Sequence, residues 1–483
     1  MDKVLPGIDL RPFIGGEHVE PRTGETLDVT DPGTGQRIAV LPAVVETDVR
    51  EAVGAARTAF DEGPWPRMSP VERASHLHRL ADLIERDLDE LALVESLDTG
   101  KLFRGVRGWD IGNAAETFRY YAEWAVRTSG DVLPSVGAVR VTTQREPIGV
   151  CAAIIPWNFP FACVSWKAAP ALAAGCTVVI KPPERAPLSV QALAALIAEA
   201  GFPPGVVNIV SGLGDTAGLA LVSDPRIDKI SFTGSTETAR TITRASASSI
   251  PRITTELGGK GANIVFADAD LDAALDGAVE ASFGLAGQNC CAAGRILVQQ
   301  DIYDEFLTRL VGRAERRVLG DQFDDGTEQG PQIDRAHLAR IDGMVRESLA
   351  SGARAETGGR AGDDGGLHYL PTLLTGVGRA DRISREEVFG PVACVYPFRD
   401  AAEAVEIAND SEYGLSASLW TKDAGTADKL VDELRVGTVW LNCFGYFMPY
   451  IPWGGTKLSG NGRELGREGI DEYLVTKAVY RAP

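Results

Sequence analysis

Between Val150 and Ser235, short apolar runs alternate with helical patterns, and this alternation limits the possible folds more than any other feature. Residues 150–155, 177–180, 206–210 and 229–232 read as strands, and 168–175, 189–201 and 215–222 as helices. Repeated βα units at this spacing predict a parallel, doubly wound sheet. Such sheets take ligands beyond the carboxyl ends of their strands, so a nucleotide is expected there. A second α/β series begins near Gly259, with strands at 262–266, 296–298, 392–395 and 438–441 and a helix at 302–319. Ahead of both, the first 42 or so residues mix β-prone pieces with Gly and Pro turns, and a helix is expected at 47–60. Ser69-Pro70-Val71-Glu72 is a capping box with Pro at the first helical position. Behind it Leu77, Leu80, Ile84, Leu88 and Leu91 form one apolar stripe, predicting a long helix that Gly100 ends. The polar, Gly-rich stretch 352–366 reads as a surface loop, and no internal repeat occurs.

A length of 483 residues suits two or three domains. The formal net charge of −19 repels phosphate backbones and anionic lipid, so neither a nucleic-acid partner nor a membrane is expected. No apolar run reaches the roughly 18 residues of a membrane span, and Met1 to Gly7 lacks a signal peptide's apolar core. The seven cysteines include no CxxC pair, which points to a reducing, cytoplasmic setting. His76 and His78 stand two apart on a helix and no other cluster has ligand spacing, so no metal is expected.

The chemistry concentrates at Gly287-Gln288-Asn289-Cys290-Cys291-Ala292-Ala293-Gly294-Arg295. Two cysteines in a Gly-framed turn before a strand place a thiol at the end of a buried element. Cys151, Cys163, Cys176, Cys394 and Cys443 sit among apolar neighbours and read as packing residues. Glu256-Leu257-Gly258-Gly259-Lys260 sets a carboxylate at a strand end, and Pro156-Trp157-Asn158-Phe159-Pro160 sets an amide past the first strand of the sheet. A thiol, a base and an amide donor are what acyl chemistry through a thioester needs.

These segments, with Lys181-Pro182-Pro183-Glu184, Phe232-Thr233-Gly234-Ser235, Glu386-Glu387-Val388-Phe389-Gly390-Pro391-Val392, Pro452-Trp453-Gly454-Gly455 and Ser459-Gly460, resemble the aldehyde dehydrogenase superfamily in order and spacing over nearly the whole chain. The resemblance implies a variant Rossmann cofactor domain, an α/β catalytic domain and a small β bridge for oligomerisation. By it, Cys290 is the nucleophile, Asn158 joins the Cys290 N–H in an oxyanion hole, and Glu256 activates the water that hydrolyses the thioester. Lys181 and Glu184 match contacts to the adenosine ribose, Trp157 and Ser235 contacts to the pyrophosphate, and Glu387 and Phe389 the nicotinamide side. Gly214, Gly234 and Leu257 belong to the same cofactor site. Ser235 also follows a strand and opens a helix, where phosphate meets free N–H groups. Glu184 repels a 2′-phosphate and favours NAD, while Lys181 leaves NADP open.

The substrate tunnel implied by the resemblance is bordered by Trp109, Asp110, Phe159, Trp166, Phe447 and Trp453. Aromatic walls attract ammonium groups, and relatives that oxidise amino- or ammonio-aldehydes carry a Trp and an acid at the Trp453 and Asp110 positions. Gly284 and Asn113 stand where those relatives often have a further Trp and a second acid, and residues 443–450 add an aromatic lining at the mouth. An apolar or aromatic aldehyde and a cationic one therefore both fit. A CoA-acylating enzyme and a crystallin-like structural protein are the alternatives, though Cys290 and Glu256 both favour hydrolysis. The cofactor domain is expected at 1–125 and 147–257, the catalytic domain at 258–441, and a tunnel and return segment at 442–472. Segments 126–146 and 473–483 would form the bridge, an extended edge that needs a partner and implies a homodimer or homotetramer.

Overall fold

The computed structural model describes residues 7–22, 24–363 and 365–483; residues 1–6, most of the stretch expected to lack a signal-peptide core, lie outside them. Five parallel strands form the heart of the first sheet, in the order Val207–Ile209, Thr177–Lys181, Val150–Ile154, Lys229–Thr233, Arg252–Glu256. Short antiparallel pieces close its edges, Phe13–Ile14 on one side and Gly460–Asn461 on the other. Val150–Ile154 comes first in sequence and lies in the middle, so the winding reverses between it and Lys229–Thr233. That reversal opens a crevice at the carboxyl ends of the two strands.

The chain leaves this sheet after Glu256 and enters a second, seven-stranded one at Ala262–Val265. Ser416–Trp420 lies inside that sheet, between Ala262–Val265 and the edge strand Thr438–Leu441, although Ser-Ala-Ser-Leu-Trp has little strand signature. Its small residues allow burial on both faces. Thr372–Thr375 is a further strand without a forecast, and the expected loop at 352–366 contains strand Arg354–Thr357 at the sheet edge. A third sheet joins Val132–Val136, Val139–Pro147 and Leu474–Arg481, so the protruding hairpin pairs with the chain's last strand.

The Ser69–Glu72 capping box forms reciprocally, with Pro70 opening the helix. The long helix foreseen from the leucine stripe is two, Pro70–Arg86 and Leu88–Thr99. Asp87 departs from helical geometry (φ −100°, ψ 19°) while the apolar spacing runs through it, which is why the break is silent in the pattern. Gly100 ends the second helix at φ 73°. Trp109 and Asp110 lie in a widened π-helical turn, Val106–Ile111, that runs straight into helix Gly112–Ala125.

Candidate active site

A cleft of about 890 Å³ runs from the carboxyl ends of the first sheet to the turn that carries Cys290. The turn precedes strand Arg295–Gln299, and its backbone passes so close to Gly259 that a Cβ there would lie 2.5 Å from the Cys290 carbonyl. Burial drives the Cys290 thiol well above its ordinary pKa, and Cys291, Glu387, Cys163 and Glu256 push the same way. Asn158, buried just past Val150–Ile154, donates Nδ2 to the Gln288 carbonyl at 3.0 Å, the residue two before Cys290. Glu256 ends its strand as a buried carboxylate whose Oε2 has no partner among the described residues. Burial first, and then the charge of Glu464, holds it well above the usual carboxyl range, against Lys167 and Arg463. Gly454, at φ 149°, lets the backbone pass over this carboxylate, since a Cβ would sit 2.5 Å from Glu256 Oε1.

Glu464 and Lys167 are the functional-looking pair that the sequence reading missed. Lys167 Nζ pairs with Glu464 Oε1 and reaches Thr233 Oγ1 at 2.7 Å, deep beneath the cleft. The two residues are 297 positions apart, so no motif joins them. One signal existed: Lys167 is the only charge in helix Pro160–Ala174, which is buried throughout.

The opposite end of the cleft collects the remaining candidates. Lys181 and Glu184 form a 3.2 Å ion pair that both Gly214 and Gly218 approach closely. Burial lowers the Lys181 pKa against the pull of Glu184, while Lys181 and backbone N–H groups outweigh burial and lower that of Glu184. Ser235 caps helix Thr236–Ser246, accepting from Thr238 N–H, and lines the cleft with Gly234 and Leu257. Midway, Glu387 Oε1 accepts from Gly259 N–H at 2.9 Å, and burial raises its carboxyl to about 7. Phe389, at φ 57°, meets Trp157 edge to face with ring centres 5.2 Å apart. Arg340 donates to the carbonyls of Glu387 and Val388, and His337 Nε2 lies 2.7 Å from the Phe389 carbonyl, so helix Arg335–Ala350 fixes this loop. Burial lowers His337 to about 4, so the ring is neutral and donates from Nε2. An elongated cleft with a ribose-ready carboxylate, a helix start for phosphate and a second carboxylate beside an aromatic ring fits a dinucleotide.

Near the thiol, Trp109, Phe159, Trp166, Phe447 and Trp453 form one aromatic wall, with Trp109–Phe159 centres at 5.4 Å and Phe447–Trp453 at 4.7 Å. Asp110, expected beside them, borders only an outer vestibule of about 460 Å³, and its carboxylate is ion-paired with Lys101 in a buried cluster with Glu95. Burial first raises Asp110 to about 7, with Glu95 adding to it and Lys101 opposing it. Lys101 Nζ also sits 4.5 Å from the Phe159 ring centre. Phe444, Gly445 and Phe447 line the vestibule as anticipated, but Tyr446 and Tyr450 turn to solvent, and Cys443 is half-buried against the edge of the core. Asn113 is buried and accepts from Trp166 Nε1 at 3.1 Å, while Gly284 lines the vestibule beside Glu280. Among the described residues no group of three or more His, Cys, Asp or Glu is placed to hold a metal ion.

A doubly wound sheet whose crevice runs to a thiol on a second α/β domain defines a dinucleotide-dependent oxidoreductase. More specifically, the chain belongs to the aldehyde dehydrogenase family, whose model matches residues 18–479. Retinaldehyde dehydrogenase 3 of Rattus norvegicus is 46% identical over 469 residues, which is 97% of this chain and 92% of that protein. The betaine aldehyde dehydrogenase of Staphylococcus aureus, solved with NAD+, matches with a TM-score of 0.98 at 38% identity, over 99% of this chain and 96% of that one. The NAD+ complex of a Bacillus cereus aldehyde dehydrogenase matches with a TM-score of 0.97 at 41% identity, over 98% and 96%.

Proposed function

We propose that this chain oxidises an apolar or aromatic aldehyde to its carboxylic acid with NAD+, through a thioester on Cys290. The observation that carries the reading is that Cys290, Asn158, Glu256, Glu387 and the Lys181–Glu184 pair all line one continuous cleft. Cys290 as thiolate attacks the aldehyde carbon, and the oxyanion that forms is met by the Cys290 N–H and Asn158 Nδ2, whose second N–H is free of the Gln288 carbonyl. Lys181, Glu184, Ser235, Trp157, Glu387 and Phe389 would hold NAD+, which would supply the acceptor for the hydride leaving that carbon. Glu256 then takes a proton from the water that cleaves the thioester, which returns the thiol and releases the acid. Glu184 stands where a 2′-phosphate would meet a carboxylate, which supports NAD over NADP.

Two features favour an apolar over an ammonio substrate. Asp110 is already ion-paired with Lys101, which it shares with Glu95, and the same ammonium already lies over the Phe159 ring. A cationic tail would find both carboxylates, Asp110 and Glu95, already paired with that ammonium. The single test is NADH formation from NAD+ over benzaldehyde-type, straight-chain and trimethylammonio aldehydes without added CoA. Turnover that is fastest on the aryl and alkyl members supports the reading, and preference for the ammonio aldehyde, or a requirement for CoA, overturns it.

The free thiols support a reducing, cytoplasmic setting, and no described helix is long and apolar enough to cross a membrane. The three-stranded sheet exposes Val132, Val136 and Tyr480 at 81%, 65% and 66%, a surface that supports assembly into a homodimer or homotetramer. Light scattering of the purified chain tests this, and a monomer at micromolar concentration contradicts it.

A further inference from the structure

The cleft and the vestibule share a neck formed by Trp109, Phe159, Phe447 and Asn289. Three of the four are aromatic, so Asn289 is the one polar member of that ring. Its orientation follows from its contacts. The Cys291 backbone N–H, which can only donate, lies 3.3 Å from Oδ1, and the Cys291 and Cys290 thiols approach the same oxygen at 3.2 and 3.8 Å. The amide nitrogen is therefore turned the other way, and it has no hydrogen-bond acceptor among the described residues. Asn289 is half-buried, so this N–H₂ group meets open space now and loses water when an aldehyde fills the neck. Burying such a donor unpaired is costly, and a site with a donor in that state discriminates against ligands that lack an acceptor.

We propose that Asn289 is a specificity-determining residue, donating from Nδ2 to an acceptor oxygen two or three bonds from the aldehyde carbon. Aldehydes with an ether or carbonyl oxygen at that distance are preferred over their carbon isosteres. The inference rests on Cys290 being the nucleophile, since that assignment places the reacting carbon next to Asn289.

Phenoxyacetaldehyde and 3-phenylpropanal differ by one oxygen in place of a methylene, and they serve as the paired probes. Their kcat/KM values are measured with NAD+ for the unaltered enzyme, Asn289→Ala and Asn289→Asp. Taking the ether-to-carbon ratio within each protein and comparing it between proteins cancels the intrinsic reactivity of the two carbonyls. The ratio is expected to fall about fivefold in each variant, the worth of one neutral hydrogen bond. Asn289→Asp retains the oxygen that faces Cys291 N–H and loses the donor, and the effect of its added charge on the neighbouring thiols is common to both aldehydes and cancels in the ratio, so it carries the test if Asn289→Ala does not fold. An unchanged ratio overturns the proposal. So does an equal loss on both aldehydes, which would place the donor on the reacting carbonyl or in the shape of the turn. Failure of the underlying function looks different: the unaltered enzyme forms no NADH from either aldehyde, or Cys290→Ala continues to form it.

Discussion

Replacing Gly454 by Ala tests whether Glu256 acts after the thioester has formed. The added Cβ would lie 2.5 Å from Glu256 Oε1 and 3.0 Å from the Gly462 carbonyl. To regain van der Waals separation the carboxylate has to retreat by roughly 1 Å. Backbone at φ 149° also strains any residue but Gly, at a cost of order 1–3 kcal/mol in stability. A catalytic group displaced by about 1 Å loses on the order of 100-fold in its step. The loss should fall chiefly on hydrolysis, because Cys290, Asn158 and every cofactor residue except Leu257, the neighbour of Glu256, are on other segments. Stopped-flow absorbance at the NADH band should then give a burst approaching one equivalent per active site, followed by a steady rate about 100-fold below that of the unaltered enzyme. Glu256→Gln should give the same trace without the added strain and covers the case in which Gly454→Ala fails to fold. A steady rate that falls with no burst would refute the reasoning, since the loss would then precede thioester formation. An unimpaired rate would refute the packing argument.

Cys290→Ala should abolish acid production while Cys291→Ala keeps most of it, as measured by chromatography of the product acid; the opposite pattern would move the nucleophile. Burial raises the Cys290 thiol, so thiolate is scarce at neutral pH, and kcat/KM should rise with pH through the alkaline range and be lost as pH falls. Glu464 raises the Glu256 carboxyl, so in Glu464→Gln the limb of hydrolysis that follows Glu256 ionisation should move to lower pH, which single-turnover decay of the thioester would report. Lys101→Met leaves Asp110 and Glu95 buried without their cation, and a destabilisation of about 3–5 kcal/mol should appear in denaturant unfolding.

The readable parts of this protein are those in which one short segment holds both a structural signal and a reactive group. Glu256 ends a strand, Asn158 follows one, and Cys290 sits in a turn marked by Gly287 and Gly294, so element and chemistry are legible together. Lys167 and Glu464 meet only because the return segment pairs Gly460–Asn461 with Arg252–Glu256, a contact that no local pattern encodes. Asp110 is legible in position, since it borders the vestibule, but not in charge state. An acid beside a tryptophan looked available to a substrate, but Lys101, nine residues away on another turn, neutralises it. Strand Ser416–Trp420 escaped because small residues, and not a β-branched run, let it pack between its neighbours. The break at Asp87 escaped because the apolar stripe continues on both sides of it.

The covalent step is the centre of the account, and mass spectrometry of the trapped intermediate tests it most directly. Glu256→Gln enzyme would be mixed with an aryl aldehyde and NAD+, quenched in acid within the burst and digested. The account predicts that the acyl group is found on Cys290, absent without NAD+ and absent from Cys290→Ala. Acylation of Cys291 instead, or NADH formed at full rate with no acylated cysteine, would contradict it.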